Sequence, residues 1–465
     1  MTTNLTADLA DFVARTTFED LPEHVKERAL IVLIDTVASA FAGSSSDEAQ
    51  QIERMAIAAS GRGDSPVVGR APLSNAAANL VNGYLITAAT VCDVHRTTLC
   101  HVTPQVFPAA VAVGVERGVS GKDFLLAFAL GIEMTTRIGL GSNYAAFRAK
   151  GWHSPGVWGP FGGAAAAGKL MGFTAEQIVT AFGLAGSQSA GTFAHWGTPT
   201  IKFHQSRGAL SGYLAAQLAQ QGFESSKDIL TGKDGGLYAT YSDGGNPERA
   251  LHLLGEEWEL EQLSLRPWPL ASSLQSVATV LLHLTESEKF AISDIAKVTV
   301  GLSQLVYDMH GTLPYDDSFH ALLSAPYVTG VILADKECWL EQFTPERIKD
   351  SALKEFIRSH VTVMVDESVV GTGASVKIEF ADGRVLTESR KIPHGDTLDP
   401  LTMEDVSTKF LKAVGDKLDS PRDRKNSGGE RTLKLLQQIE TIARIDSSLF
   451  GALKSDGSPT LGSLA

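Results

Sequence analysis

The stretch GSNYAAFRAKGWHSPG, residues 141–156, gathers a phenol, a guanidinium, an ammonium and an imidazole and contains no carboxylate. These are Tyr144, Arg148, Lys150 and His153. Tyr144 and Arg148 stand four apart, so on a helix they share one face. His153 precedes Ser154-Pro155, an N-cap and first-turn pair, which sets the imidazole near the positive end of a helix. That position favours anions and lowers the pKa of an imidazole. The set suits acid–base work on an anionic substrate. Taken singly, His153 reads better as a structural histidine bonded to backbone, and only its neighbours shift the balance.

The neighbourhood is unusual for this chain. Between residues 137 and 207 stand Arg137, Arg148, Lys150, Lys169, Lys202 and Arg207 against Glu176, a window of +5 in a 465-residue chain of net charge −13. The same window holds His153, His195 and His204. A solvated helix face interleaves its signs, so the excess predicts a pocket for an anion. The alternative is that these bases pair with carboxylates from elsewhere in the chain.

Two further stretches carry chemistry. CDVHRTTLCHVTPQVFPAA, residues 92–110, sets Asp93, His95 and His101 before an apolar helix. The spacing matches no zinc signature, and a basic neighbourhood repels cations, so acid–base work or substrate hydrogen bonding is expected rather than a metal. WGTPTIKFHQSRGALSG brings Lys202, His204 and Arg207 to a helix start after a Gly-Thr-Pro turn. As an isolated residue, Lys202 would be a surface lysine. No phosphate-binding glycine loop, Walker sequence or nucleophile elbow is present, so the chemistry is expected to need no cofactor and no metal.

The elements that must position these groups are mostly helices. LPEHVKERALIVLIDTVASAFAG starts at Pro22, ends at Gly43, and has a wide apolar face. FTAEQIVTAFG opens with a capping box, Thr174 three before Gln177. GPFGGAAAAGKLMG, almost all Gly and Ala, predicts helices in close backbone approach. From about Ser264 the pattern changes: DIAKVTVGL, HVTVMV and ASVKIEF alternate as strands, with a hairpin turn at Asp382-Gly383. LTMEDVSTKFLKAV returns to helix, with Thr402 three before Asp405 as a cap. The expected architecture is mainly α: an all-helical bundle domain, discontinuous over 1–267 and 401–465, with a smaller α+β domain over 268–400 inserted.

Bulk properties bound the rest. With 43% hydrophobic and 20% charged residues the chain is an ordinary globular protein. Its acidity argues against nucleic acid and anionic membrane as partners. Three scattered cysteines, a first segment without an apolar core, and no apolar run near the ~18 residues that span a bilayer lead us to expect a cytoplasmic protein.

Assembled in order, these motifs resemble the MmgE/PrpD family over nearly the whole chain. The most specific are GWHSPGVWGPFGGAAAAGKL and the K-x-H segment at Lys202. The resemblance implies a cofactor-free homodimer acting on small polycarboxylates. It carries site roles to Asp93, His101, His153, Lys202 and Tyr327, and a tyrosine–arginine pair of the epimerase branch to Tyr144 and Arg148. Family lyases commonly have lysine where Arg266 stands; arginine keeps the charge without shedding a proton, so it would clamp a carboxylate. The expected catalytic groups are His101, Lys202, His153 and Tyr144. The expected substrate-binding groups are Asp93, Arg148, His204, Arg266 and Tyr327.

The reaction expected is removal of a proton beside a carboxylate, with cations offsetting the charge that develops. Loss of a leaving group makes the protein a lyase, the reading favoured; reprotonation from the other face makes it an epimerase. A non-catalytic binder of anionic metabolites is the alternative from another class.

Overall fold

A computed structural model describes residues 4–419, 427–454 and 458. Residues 1–3 of the N-terminal segment and residues 420–426 of the polar loop before the last helix lie outside the described residues. The chain is mainly helical, with a small sheet region. It groups into two compact units, one of Met1–Ala88, Cys92–Leu263 and Thr402–Ala465, the other of Ala89–Val91 and Ser264–Leu401.

In the first unit the helix Glu23–Ala42 is capped by Pro22 and buried on most sides, through Val25, Leu33, Ile34, Val37 and Phe41 among others. Residues Glu23–Ser45 are, by length and composition, apolar enough to cross a membrane, although Asp35 interrupts the apolar run; 83% of the most apolar 18-residue window is buried within the protein. Gly43 closes the helix with a right-handed φ of −75°, not the left-handed cap expected of a terminal glycine. Its value is proximity: a Cβ there would sit 2.0 Å from the Leu85 carbonyl oxygen of the helix Asn75–Ala88.

The Gly/Ala run becomes the helix Ser154–Leu170. Small residues let it approach two neighbours within side-chain-free distance, as their spacing predicts. A Cβ on Gly162 would fall 1.9 Å from Thr135 Oγ1 of the helix Gly121–Leu140, and one on Gly212 of the helix Thr200–Gln220 would fall 2.6 Å from the Pro160 carbonyl oxygen. These tight contacts hold the helix ends that carry His153, Lys202 and His204.

The returning helix Met403–Val414 begins with the reciprocal Thr402–Asp405 cap anticipated from the sequence. It lays Lys409 against Asp35 of the helix Glu23–Ala42, Nζ to Oδ1 2.6 Å, both side chains buried. Contrary to the all-helical expectation, this unit also contains a small antiparallel ribbon, Ser65–Val67 with Arg70–Leu73. Gly69 lets it turn, with φ +64°.

The second unit holds a four-stranded sheet in the order Val361–Val365, Ile295–Leu302, Ala374–Phe380, Val385–Arg390. The first pair is parallel, Val298 opposite Val361, and the other two are antiparallel. Helices Gln275–Ser287 and Ala325–Asp335 share its core, where Val277, Leu281, Val328 and Ile332 meet Val298, Val300, Val376 and Ile378.

Candidate functional site

His101 owes its place to Asp93. The Asp93 carboxylate accepts the Val102 amide at 2.7 Å, the Thr103 amide at 3.1 Å and the Thr103 hydroxyl at 2.6 Å. It therefore caps the helix Thr103–Arg117, taking donors that a helix start leaves open. The Asp93 carbonyl faces His101 Nδ1 at 2.6 Å. A carbonyl only accepts, so Nδ1 carries the hydrogen, and Nε2 becomes the nitrogen for proton chemistry. The Asp93 carboxylate, expected to bind substrate, is fully buried and bonded to the helix start, while its carbonyl positions His101. Burial pushes its pKa up, against the pull of those three hydrogen bonds.

His95 is also structural. Its Nδ1 accepts the Thr98 amide at 3.3 Å, which leaves the hydrogen on Nε2, 3.0 Å from the Glu259 carboxylate.

A second group forms where the helix Ser154–Leu170 begins. His153 is its N-cap residue, and its own amide donates to the Gly191 carbonyl at 3.0 Å. His153 Nδ1 lies 3.1 Å from His204 Nδ1, and both rings are largely buried. Burial holds His153 well below the usual imidazole range, helped by His204, His101 and Arg148. His204 is pushed down to about 4, by burial and then by His195 and Arg207. The His195 ring stands edge-on to His204 with centroids 5.7 Å apart, on an exposed turn. The Arg148 guanidinium lies 3.6 Å from the Phe193 ring centroid, a cation–π contact, and no carboxylate among the described residues pairs with it. Tyr144, one turn before Arg148, has its phenol pKa raised by burial, with Arg148 pulling the other way.

The other bases of the cationic window are held for a reason that differs from the alternative weighed above. Backbone carbonyls hold most of these bases. Arg137 is buried, pairs with Glu133 at 2.5 Å, and reaches the carbonyls of Ala250, His252, Leu253 and Glu257. Lys169 donates to Ala14 and Thr16, Lys150 to Ala239, Thr240 and Ser242, and Arg207 to Gln188, Ala190 and Gly156. Lys202 is buried and donates to the Ala88 carbonyl at 2.5 Å, at the C-terminal end of the helix Asn75–Ala88. A cation there is favoured by the helix dipole.

Thus His101, Arg148, His153 and His204 interact within the first unit, with Tyr144 beside Arg148. Arg266 and Tyr327 belong to the second unit. Arg266 is buried and donates to the Leu270 carbonyl. Tyr327 is a core residue whose hydroxyl donates to the Gln342 carbonyl at 2.7 Å, its ring packed on Tyr315 and Phe343. This is where the structure places a residue expected to bind substrate. Phe193 and the exposed His195 were assigned nothing from sequence; the aromatic cluster TFAHW between Gly191 and Gly197 was the available signal. Among the described residues no group of three His, Cys, Asp or Glu side chains is arranged to hold a metal. What the cluster offers is neutral imidazoles able to take or give a proton, beside a cation able to hold a carboxylate.

The MmgE/PrpD N-terminal domain matches residues 7–250 and the MmgE/PrpD C-terminal domain matches residues 268–435. The chain belongs to the MmgE/PrpD family. It is 26% identical to a cis-aconitate decarboxylase-like protein of Aspergillus oryzae, covering 96% of this chain and 98% of that one. It is 26% identical to the cis-aconitate decarboxylase of Aspergillus terreus, covering 90% and 91%, and 26% identical to that of Homo sapiens, covering 84% and 83%. These relatives are enzymes, and the similarity runs through both units.

Proposed function

We propose that this protein is a lyase acting on a small di- or tricarboxylate, with cis-aconitate the first substrate to test. The observation that carries this reading is the Arg148 guanidinium, which acts electrostatically on His153 and is unpaired with any carboxylate among the described residues. In decarboxylation the bond to the leaving carboxylate breaks, its electron pair stays on the carbon framework, carbon dioxide departs, and a carbon takes one proton. Arg148 holds a remaining carboxylate and offsets the developing charge. Lys202 supplies a second cation, and His101 Nε2 or His153 handles the proton. Tyr144 assists from beside Arg148. His204 acts behind His153, and Arg266 and Tyr327 are assigned no step.

The test incubates the purified protein in D₂O with cis-aconitate, citrate, 2-methylcitrate and iminodisuccinate, following carbon dioxide, substrate loss and deuterium uptake. Release of carbon dioxide, or of water from a hydroxy acid, is expected. Deuterium uptake without net loss would make it an epimerase, and binding without exchange would make it a binder.

A further inference from the structure

We propose that His153, His204 and His195 form a proton relay that links the buried imidazole of the reaction centre to solvent. The proposal rests on the function above and explains how a neutral imidazole gives up a proton without becoming an anion. A decarboxylation consumes one proton per turnover, and a neutral His153 that gave it alone would be left an imidazolate.

The geometry is specific. Two Nδ1 atoms 3.1 Å apart form a hydrogen bond only if one carries a hydrogen and the other does not. One shared proton therefore sets both tautomers. When it sits on His204, His153 carries its hydrogen on Nε2 and is an acid; when it sits on His153, Nε2 is bare and is a base. The burial that keeps both rings neutral makes this exchange of tautomers the low-cost route, because neither ring must hold a full charge.

The surroundings hold the pair in register. His204 is fixed by the helix Thr200–Gln220, and His153 by the start of the helix Ser154–Leu170. Gly191 lies against the His204 ring, so close that a Cβ would fall 2.9 Å from its Nδ1. The same glycine's carbonyl accepts the His153 amide, tying one loop to both imidazoles. The chain from Gly191 then runs out to the exposed His195, whose ring stands at the edge of His204. Buried, buried and exposed, the three rings step from interior to surface.

The proton balance closes. His153 gives its Nε2 proton to carbon, the shared proton crosses from His204 Nδ1 to His153 Nδ1, and His204 Nε2 takes a proton from His195 or its solvating water. His195 refills from bulk solvent. Once product leaves, water at His153 Nε2 supplies the proton that was spent, the shifts run backward, and the relayed proton returns to solvent at His195. His204 and His195 are positioning and relay residues; neither needs to touch the substrate.

The experiment compares wild type, His204→Gln and His195→Ala in dilute buffer. We expect kcat to fall about 10-fold or more in His204→Gln and several-fold in His195→Ala, with KM within about twofold, and exogenous imidazole to restore much of the loss. Unchanged kcat in both variants overturns the relay, as does a loss that imidazole cannot restore. A second arm needs no turnover. In histidine-labelled protein, the solvent exchange rate of the shared Nδ1 proton should slow in His195→Ala, and an unchanged rate overturns the relay. Should wild type turn over no polycarboxylate while this exchange still depends on His195, the proposed reaction fails and the relay stands.

Discussion

The coupled imidazoles make a prediction about stability that is independent of any substrate. His204 has an ordinary unfolded pKa of 6.5 and a folded value near 4, and His153 shifts in the same direction. A group whose pKa falls on folding stabilises the protein above its unfolded value, and that contribution is lost as pH drops through the window from 6.5 toward 4. At pH 5 the unfolded chain protonates this imidazole almost fully, while the folded one stays neutral. For His204 alone the linkage costs about 2 kcal/mol between pH 7 and pH 5. Solvent at the ring edge beside the exposed turn reduces this to about 1 kcal/mol. His204→Gln removes one titrating ring and relieves the other, while keeping a hydrogen-bonding group against His153. Urea unfolding at pH 7 and pH 5 should therefore show a loss of unfolding free energy that is about 1 kcal/mol smaller in the variant. If both proteins lose the same amount on acidification, the neutral buried pair is wrong.

Three other perturbations follow. His101→Ala and Lys202→Ala should each lower kcat by at least ~10²-fold in steady-state assays, with folding intact by circular dichroism; near-wild-type turnover in either removes its role. Arg148→Gln should raise KM for a tricarboxylate at least about 10-fold, because one charge-assisted carboxylate contact is lost; a KM unchanged by the substitution argues that the guanidinium serves Phe193 alone. Lys409→Met strands the buried Asp35 and should cost about 3–5 kcal/mol in chemical unfolding, whereas adding Asp35→Leu should recover most of it.

What the sequence disclosed depended on whether a signal was local. The caps at Thr174 and Thr402, the alternation of the strand at Val298 and Val300, and the turn at Gly383 are set by neighbouring residues, and each appears where its pattern puts it. Gly43 marks the helix end as the sequence reading has it, but its reason is a neighbouring helix, at Leu85, rather than its own backbone angle. The partners of the charge window were hidden for a related cause: several of its bases are held by carbonyls of Ala14, Ala88, Gln188 and Ala250, and a carbonyl is present in every residue and leaves no mark in the sequence. Asp93 was singled out correctly, but its task, capping a helix nine residues away, emerges only when the segment folds back. The pairing of His153 with His204, separated by 51 positions, follows from the close helix approach that glycines permit.

The Lys409–Asp35 contact also bears on how this chain is made. The two partners stand 374 positions apart, so the first unit stays incomplete until residues past 400 have left the ribosome. At translation rates of about 5–20 residues per second, the early helices wait tens of seconds with the groove for Met403–Val414 uncovered. During that interval the segment Ser264–Leu401 emerges whole and can fold first. The order of folding thus departs from the order of synthesis, and nascent helices with an open apolar groove are the natural clients of a chaperone.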